Sequence, residues 1–416
     1  MNSDSIINKK PLLKYLIITS DTFPPFRVDV SILFGQEMIK RGHKIDWLLQ
    51  SDQPQDKYEE VQWSGSRVFV GPSNDGESRL SRIKKHFQSV MLDFKVFKFA
   101  SQNQYDFIQV KDKFLSAIFA ILAAKKNKCK FFYWLSYPFP EASIYEAKVG
   151  TARYPFLYLV RGYVFHFIFY RIIARWADHI FVQSEQMKKD VVAKGINSDK
   201  VSAVPMGVSL DSFSALQDIE GLKYDAKEKV IVYLGTLLST RKLDFVIRVF
   251  AEVLEEIPEA KLYMVGPEEL PNDMEILQVE AKKLGIEDKI VYTGRLPRPE
   301  ALAYVKIANV CVSPFYPTPI LNSTSPTKLV EYMIMQKPVV ANDHPEQSLV
   351  ISESEAGICV PYEEKAFANA IIKILSDNAL ATEMGDKGYD YAIKYRTYDY
   401  LAQQVEECYL DIFNDN

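Results

Sequence analysis

Residues 314–343, PFYPTPILNSTSPTKLVEYMIMQKPVVAND, run from an apolar strand end through a Ser/Thr-rich loop and a short helix into a second buried strand. The pair Ser325-Pro326 predicts the helix start. Ser accepts a hydrogen bond from an orphan backbone N–H, and Pro at the first helical position gives up no donor the helix needs. The exposed N–H groups of such a turn form an anion site. Lys328 adds a positive charge beside it, and Glu331, further along the same helix, offers a carboxylate to sugar hydroxyls. An ordinary capped helix with a solvated Glu331 is an equal reading of these residues alone. A phosphate-bearing sugar is the ligand that would use every group.

The same alternation of short apolar strand and helix extends outward through residues 229–341. VIVYLG is followed by a helix over Leu243–Glu256, KLYMVG by one over Asp273–Leu284, IVYTG by one over Pro299–Ala308, and VCVSPF by one over Pro326–Met335 before PVVAN. The first half repeats the order: strands Leu13–Thr19, Lys44–Leu49, Tyr105–Val110, Cys129–Leu135 and His179–Gln183, with helices near Ser31–Arg41 and Phe114–Lys126. Strands of this kind need cover on both faces, so the pattern predicts an α/β chain with two doubly wound, Rossmann-like parallel sheets. Expected boundaries are 1–215 for the first domain and 228–394 for the second, with the acidic stretch Ser214–Lys227 as linker. Gly388–Phe413 reads as helical, with residues 395–416 returning to the first domain. Two such domains are expected to face each other across a cleft, with ligands outside the carboxyl ends of the strands.

Composition narrows the function. A chain of 416 residues, 48% hydrophobic and 25% charged with net charge −4, is long enough for two cores and lacks the basic footprint of a nucleic-acid binder. Cys129, Cys311, Cys359 and Cys408 show neither metal-ligand nor redox-pair spacing, so reduced thiols and a cytoplasmic location are expected. The N-terminal apolar run is too short for a secretory signal, and no stretch of about 20 uninterrupted apolar residues is present to span a membrane.

Beyond the opening segment, Gly235 in LGTLLSTRK allows close backbone approach, and Arg241 and Lys242 put two cations at or just before a helix, where they could grip a diphosphate. In order along the chain stand FPPF (Phe23–Phe26), ADHIFVQS (Ala177–Ser184), VPMGVSLDSF (Val204–Phe213), LGTLLSTRK (Leu234–Lys242), VGP (Val265–Pro267), YTG (Tyr292–Gly294) and SPTKLVEYMIMQKPVVA (Ser325–Ala341). This series resembles the retaining glycosyltransferases of family 4, which have the two-domain GT-B fold. Three positions depart from the family pattern. Arg27-Val28-Asp29 replaces paired glycines after FPP, Ser323 replaces the first Glu of Glu-x7-Glu and leaves Glu331, and Thr236 stands for the usual Arg. The chain resembles a subgroup with SPxKLxEY in place of the full motif.

The resemblance implies a donor site of Gly235, Thr236, Arg241, Lys242, Gly266, Gly294, Arg295, the loop Ser323–Thr324–Ser325, Lys328, Leu329 and Glu331. It makes Arg241 and Lys242 the catalytic cations and asks for no metal or other cofactor. Lys111–Asp112 and Ser136, Tyr137 and Glu141 follow strand ends in the first half, which makes Asp112 and Glu141 candidates to orient an acceptor. The five histidines read as structural, with His344 nearest the expected site.

Residues 151–176, TARYPFLYLVRGYVFHFIFYRIIARW, are aromatic and aliphatic, punctuated by Arg153, Arg161, Arg171 and Arg175, and RLSRIKKHFQSVMLDF repeats the theme. Such compositions suit an anionic membrane surface; a helix buried in the first domain is the competing reading. The expected function is hexosyl transfer with retention from a UDP- or GDP-sugar to a glycan acceptor, lipid-linked in the favoured reading. The setting would be cell-surface polysaccharide, lipopolysaccharide or glycolipid synthesis at the cytoplasmic face of the membrane. The rivals are a GT-B nucleotide-sugar 2-epimerase and a non-catalytic nucleotide-sugar-binding subunit of a glycan-assembly complex. A glycosidase would leave the phosphate-binding groups without a use.

Overall fold

The computed structural model describes residues 11–414 apart from Glu77, 215–226 and Pro271. Most of the expected linker therefore lies outside the described residues, as do the first ten residues of the N-terminal segment. Two compact units emerge: Met1–Val204 with Leu401–Asn416, and Pro205–Tyr400.

The second unit begins at Pro205, earlier than the expected boundary, because Val208 exchanges backbone hydrogen bonds with Arg396 and Tyr398 (2.8 and 3.0 Å). The helical tail is also interrupted. One helix spans Asn378–Tyr395 and the next Tyr398–Asn414, separated where Arg396 and Thr397 make those contacts. The last helix starts in the second unit and runs into the first.

The first unit holds eight strands: β1 Lys14–Phe23, β2 Lys44–Ser51, β3 Glu59–Trp63, β4 Ser66–Gly71, β5 Phe107–Lys111, β6 Lys130–Leu135, β7 His179–Val182 and β8 Val201–Ala203. Their order is β3-β4-β2-β1-β5-β6-β7-β8, parallel except for the β3–β4 hairpin at the edge. Alternate residues serve opposite faces. Leu16, Ile18, Ile108, Val110 and Tyr133 join a core with the helix Phe114–Asn127. Tyr15, Phe107 and Phe132 point the other way, onto Tyr409 of the last helix.

The second unit holds β9 Lys229–Leu234, β10 Ala260–Val265, β11 Ile290–Gly294, β12 Val310–Ser313, β13 Val339–Asn342 and β14 Gly357–Val360, all parallel, in the order β11-β10-β9-β12-β13-β14. Ile231, Leu262, Met264, Val310 and Val340 pack under the helices Asp244–Glu256 and Glu364–Ser376. Val230, Val232, Val265, Cys311 and Ala341 pack under Arg298–Ile307 and Thr327–Ile334. This is the dinucleotide-binding strand order, in which the connections reverse direction between β9 and β12 and leave a crevice beyond their carboxyl ends. In the first sheet the reversal falls between β1 and β5. Both candidate charge clusters lie at these two points.

Candidate functional site

In the second unit three glycines close the strand ends beside the crevice. Gly235, Gly266 and Gly294 have φ of +148°, +144° and +66°. Gly235 N donates to Val265 O at 2.9 Å, and a Cβ on Gly266 would lie 2.3 Å from Gly235 O. Gly266 and Gly294 are themselves bridged. Only residues without a side chain allow backbones this close, which leaves an open floor of peptide groups. Around Gly235 stand Arg241 Nη1, Lys328 Nζ and Tyr233 Oη, each 3.2–3.3 Å from where its Cβ would be.

Tyr233 organises that cluster. Its hydroxyl accepts from Lys328 Nζ at 3.0 Å and from Arg241 Nη1 at 3.3 Å, and donates to Thr236 O at 3.5 Å. Burial alone would raise the phenol pKa, but the two cations outweigh it and hold it below the ordinary value. Lys328 is lowered, first by burial and then by Arg241, against the opposite pull of Tyr233 and Glu331. Neither Arg241 nor Lys328 forms an ion pair with a carboxylate among the described contacts, so the site concentrates positive charge that an anion would neutralise. Asp273 holds the loop carrying Arg241 in place by accepting from Ser239 N (2.9 Å) and Leu270 N (3.0 Å).

Several expectations are revised here. Lys242 takes a left-handed conformation (φ +54°) that ends the turn Ser239–Arg241, is exposed, and stands outside the cluster; Lys328 fills the second cationic place. Ser325 does not cap the helix, which runs Thr327–Ile334 with Pro326 before it; its Oγ accepts from Met206 N at 2.9 Å instead. Thr318 caps the preceding turn Pro319–Asn322, and Thr324 Oγ1 donates to Leu321 O at 2.6 Å. Ser323 is buried, its Oγ 3.4 Å from Pro319 O, and Leu329 belongs to the core. Glu331 is buried at the site with Oε1 paired to Arg298 Nη2 at 2.8 Å. Arg298, which sequence reading passed over, occupies this place, whereas Arg295 is exposed just beyond Gly294. His344 contacts Leu321 O through Nε2 at 2.8 Å, and burial keeps its pKa below the usual value.

At the reversal point of the first sheet, five charged side chains are buried or half-buried together. Lys111 Nζ lies 2.8 Å from Asp112 Oδ2 and 3.2 Å from Asp29 Oδ2. Arg27 bridges Asp29 (3.4 Å) and Ser136 Oγ (3.0 Å) and lies 3.9 Å from Asp21. Arg27 and Asp29 thus fill with charge the place the family gives to glycines. Asp112 accepts from Ser136 N (2.8 Å) as well as from Lys111 and Ser136 Oγ, so both of its oxygens are occupied, contrary to the expectation of a free acceptor-orienting carboxylate. Asp21 Oδ2 has no hydrogen-bond partner among the described residues, and burial lifts its pKa to about 6 against the pull of Lys111 and Arg27. Glu141, half-buried in the helix Phe139–Lys148, accepts from Tyr170 Oη at 2.8 Å through one oxygen and is not part of this cluster.

Pro155–Trp176 forms one helical run of 22 residues. By length and mean hydropathy (1.3) it could cross a membrane, contrary to the expectation that no segment could. The average absorbs the arginines that interrupt the apolar run. Gly162 lets this helix approach Phe139–Lys148 so closely that a Cβ there would sit 3.0 Å from Pro140 O, and Phe165 stacks on Phe114 at 4.7 Å. Its other side is not covered: Phe156 is 74% and Phe167 60% exposed. The buried-helix reading therefore holds for one face only.

Two family models match: one described as Glycosyltransferase Family 4 over residues 31–212, and one described as Glycosyl transferases group 1 over residues 216–391. Alpha-monoglucosyldiacylglycerol synthase of Streptococcus pneumoniae is 24% identical over 394 residues, covering 91% of this chain and 81% of that protein. Among solved structures, sucrose-phosphate synthase from Thermosynechococcus elongatus superposes with a TM-score of 0.70 at 19% identity, covering 97% of this chain and all (100%) of that one. Anabaena HepE, in complex with UDP and glucose, gives 0.67 at 14% identity over 96% of this chain and 100% of that one. At these identities the structural likeness establishes the fold.

Proposed function

The chain belongs to glycosyltransferase family 4, and from that premise we propose that it moves a hexosyl group, with retention, from a UDP- or GDP-sugar to a lipid-linked or glycan acceptor. The observation that carries this reading is the pair of cations, Arg241 and Lys328, set over the side-chain-free floor at Gly235. As the bond from the anomeric carbon to the diphosphate breaks, negative charge grows on the departing oxygen. Fixed cations there stabilise the transition state more than the ground state. The acceptor oxygen bonds to the anomeric carbon on the face the diphosphate leaves, and its proton passes to the departing phosphate oxygen. The reaction needs no separate base, in keeping with Asp112 being fully engaged and Glu141 being held by Tyr170 away from that cluster. Glu331 takes the ribose hydroxyls, oriented by Arg298. Arg241 and Lys328 supply the charge a metal would otherwise bring, so chelation by EDTA should leave turnover unchanged.

In this reading the acceptor lies at the cytoplasmic face of a membrane, in cell-surface glycan or glycolipid synthesis. Support comes from the exposed apolar and arginine-bearing face of Pro155–Trp176 and from the Streptococcus relative, whose own name is that of a synthase of alpha-monoglucosyldiacylglycerol. The test is incubation with radiolabelled UDP- and GDP-sugars and membrane extract, followed by analysis of the lipid fraction. The expected result is labelled lipid whose formation falls about a hundredfold or more in Lys328→Gln and Arg241→Gln, and far less in Lys242→Gln. Donor isomerised without acceptor would identify a 2-epimerase. Donor bound but never consumed would identify a binding subunit.

A further inference from the structure

The first unit contains a cavity of ≈ 580 Å³ that none of the family motifs touches, and we infer that it holds the lipid portion of the acceptor. This inference rests on the lipid-acceptor reading above. The lining joins two regions. Asp112 and Lys113 follow β5 at the reversal point, whereas His86, Val90, Arg161 and Phe165 come from the helices Arg79–Phe94 and Pro155–Phe167. The volume falls in the range of small-molecule sites, and Phe114, Leu115 and Phe139 make much of the wall apolar.

Charge identifies the head group. Asp93, the other acid on the wall, is engaged by Lys113 Nζ (2.7 Å) and Ser116 Oγ. Arg161 donates to Ser143 Oγ through Nε and Nη2 (3.2 and 2.9 Å) and pairs with no carboxylate among the described contacts. It is the uncompensated cation of the cavity and suits a phosphate.

The helix surfaces identify the tail. On Arg79–Phe94 the exposed apolar residues Leu80, Ile83, Phe87 and Met91 recur every three or four positions. The cavity-lining His86, Val90 and Asp93 form the adjoining row. On Pro155–Phe167 the exposed Phe156, Val160, Tyr163 and Val164 stand beside Arg161 and Phe165 in the same way. The cavity thus has an uncovered apolar stripe on each flanking helix, and neither helix carries an acid on its stripe. An amphiphile with a phosphate head and acyl chains matches both features; a free sugar phosphate would leave the stripes unused.

The experiment uses the full chain and dihexanoylphosphatidylglycerol below its micelle concentration, titrated calorimetrically. Saturable one-site binding is expected, about tenfold or more weaker in Arg161→Gln and lost in Val90→Trp, which fills the cavity. Dihexanoylphosphatidylcholine should bind more weakly and inorganic phosphate not measurably. Both variants should retain the parent's UDP affinity as a check on folding, and should still sediment with phosphatidylglycerol vesicles because the stripes, Arg153 and Arg171 remain. No saturable binding to the parent, or equal binding to both variants, overturns the inference. Labelled lipid formed by a protein whose cavity rejects the probe would sink this inference alone. A cavity that binds the probe in a protein that labels no lipid would sink the functional reading instead.

Discussion

Gly235 carries the sharpest test at the residue scale. Its φ of +148° is strained for any other residue, and a methyl there would crowd Arg241, Lys328 and Tyr233. Those neighbours are the ends of flexible side chains, so Gly235→Ala should cost only about 1–3 kcal/mol in thermal unfolding. Calorimetric titration with UDP should nevertheless show affinity falling by about tenfold or more, because the space lost is the space proposed for the diphosphate. Unchanged affinity would put the diphosphate elsewhere. Asp21 gives a test in pH. Its carboxyl is neutral in both states below about pH 4; between about 4 and 6 the unfolded chain ionises while the folded one does not, so stability falls as pH rises, and above 6 the penalty is complete. Asp21→Asn should therefore unfold at higher temperature than the parent at pH 8, by an amount on the order of 3 kcal/mol, and show no such gain at pH 4. An equal difference at both pH values would mean that Asp21 ionises freely. At this scale the sequence showed which residue types gather but not their partners. Lys242, adjacent to Arg241, was the natural second cation, yet a left-handed turn removes it and Lys328, far along the chain, replaces it. Ser325 likewise obeyed a local capping rule until Met206 N offered a partner from far away in sequence. Arg298 beside Glu331 leaves no local spacing signal at all.

Elements were more legible because their signal is local. Short apolar strands alternating with helices have one economical solution, and all five strands expected in the second half form. The four-residue β14, GICV, was passed over, being too short to show a period. The β3–β4 hairpin was missed for another reason: β3, EEVQW, is an exposed edge strand with little apolar content. Pro155–Trp176 showed its composition plainly, but composition could not reveal that one face is buried against Phe139–Lys148 and the other is bare. That division predicts reversible surface binding. The protein should sediment with phosphatidylglycerol vesicles and do so less at high salt, since screening weakens the arginine–phosphate attraction while apolar insertion persists. Replacing Arg153, Arg161 and Arg171 together with Gln should reduce sedimentation several-fold and leave UDP affinity unchanged. Equal recovery with neutral and anionic vesicles would remove the electrostatic part of the account.

At the scale of the whole molecule, the chain leaves the first unit after Val204 and returns to it after Tyr400. Tyr409, fully buried, stacks on Phe132 at 5.2 Å and meets Tyr15 and Phe107, so the first unit's core is completed by a helix that follows the whole second unit in sequence. Tyr409→Ala should cost about 3–5 kcal/mol, as a large aromatic lost from a packed core does. Hydrogen exchange should show the loss of protection in β1, β5 and β6 and not in β9 or β12; protection lost equally in both sheets would mean the two units unfold as one.

The two reversal points differ in sign. The one beside Gly235 carries two cations that form no ion pair with an acid among the described residues, whereas the one beside Asp21 sets three aspartates against one arginine and one lysine. If the proposed function holds, similar sheets become a filter for charge: a diphosphate is drawn to the cationic point and turned away from the one rich in aspartates. On the proposed function, a diphosphate would be sorted between the two sheets by its electrical character before it is recognised by shape.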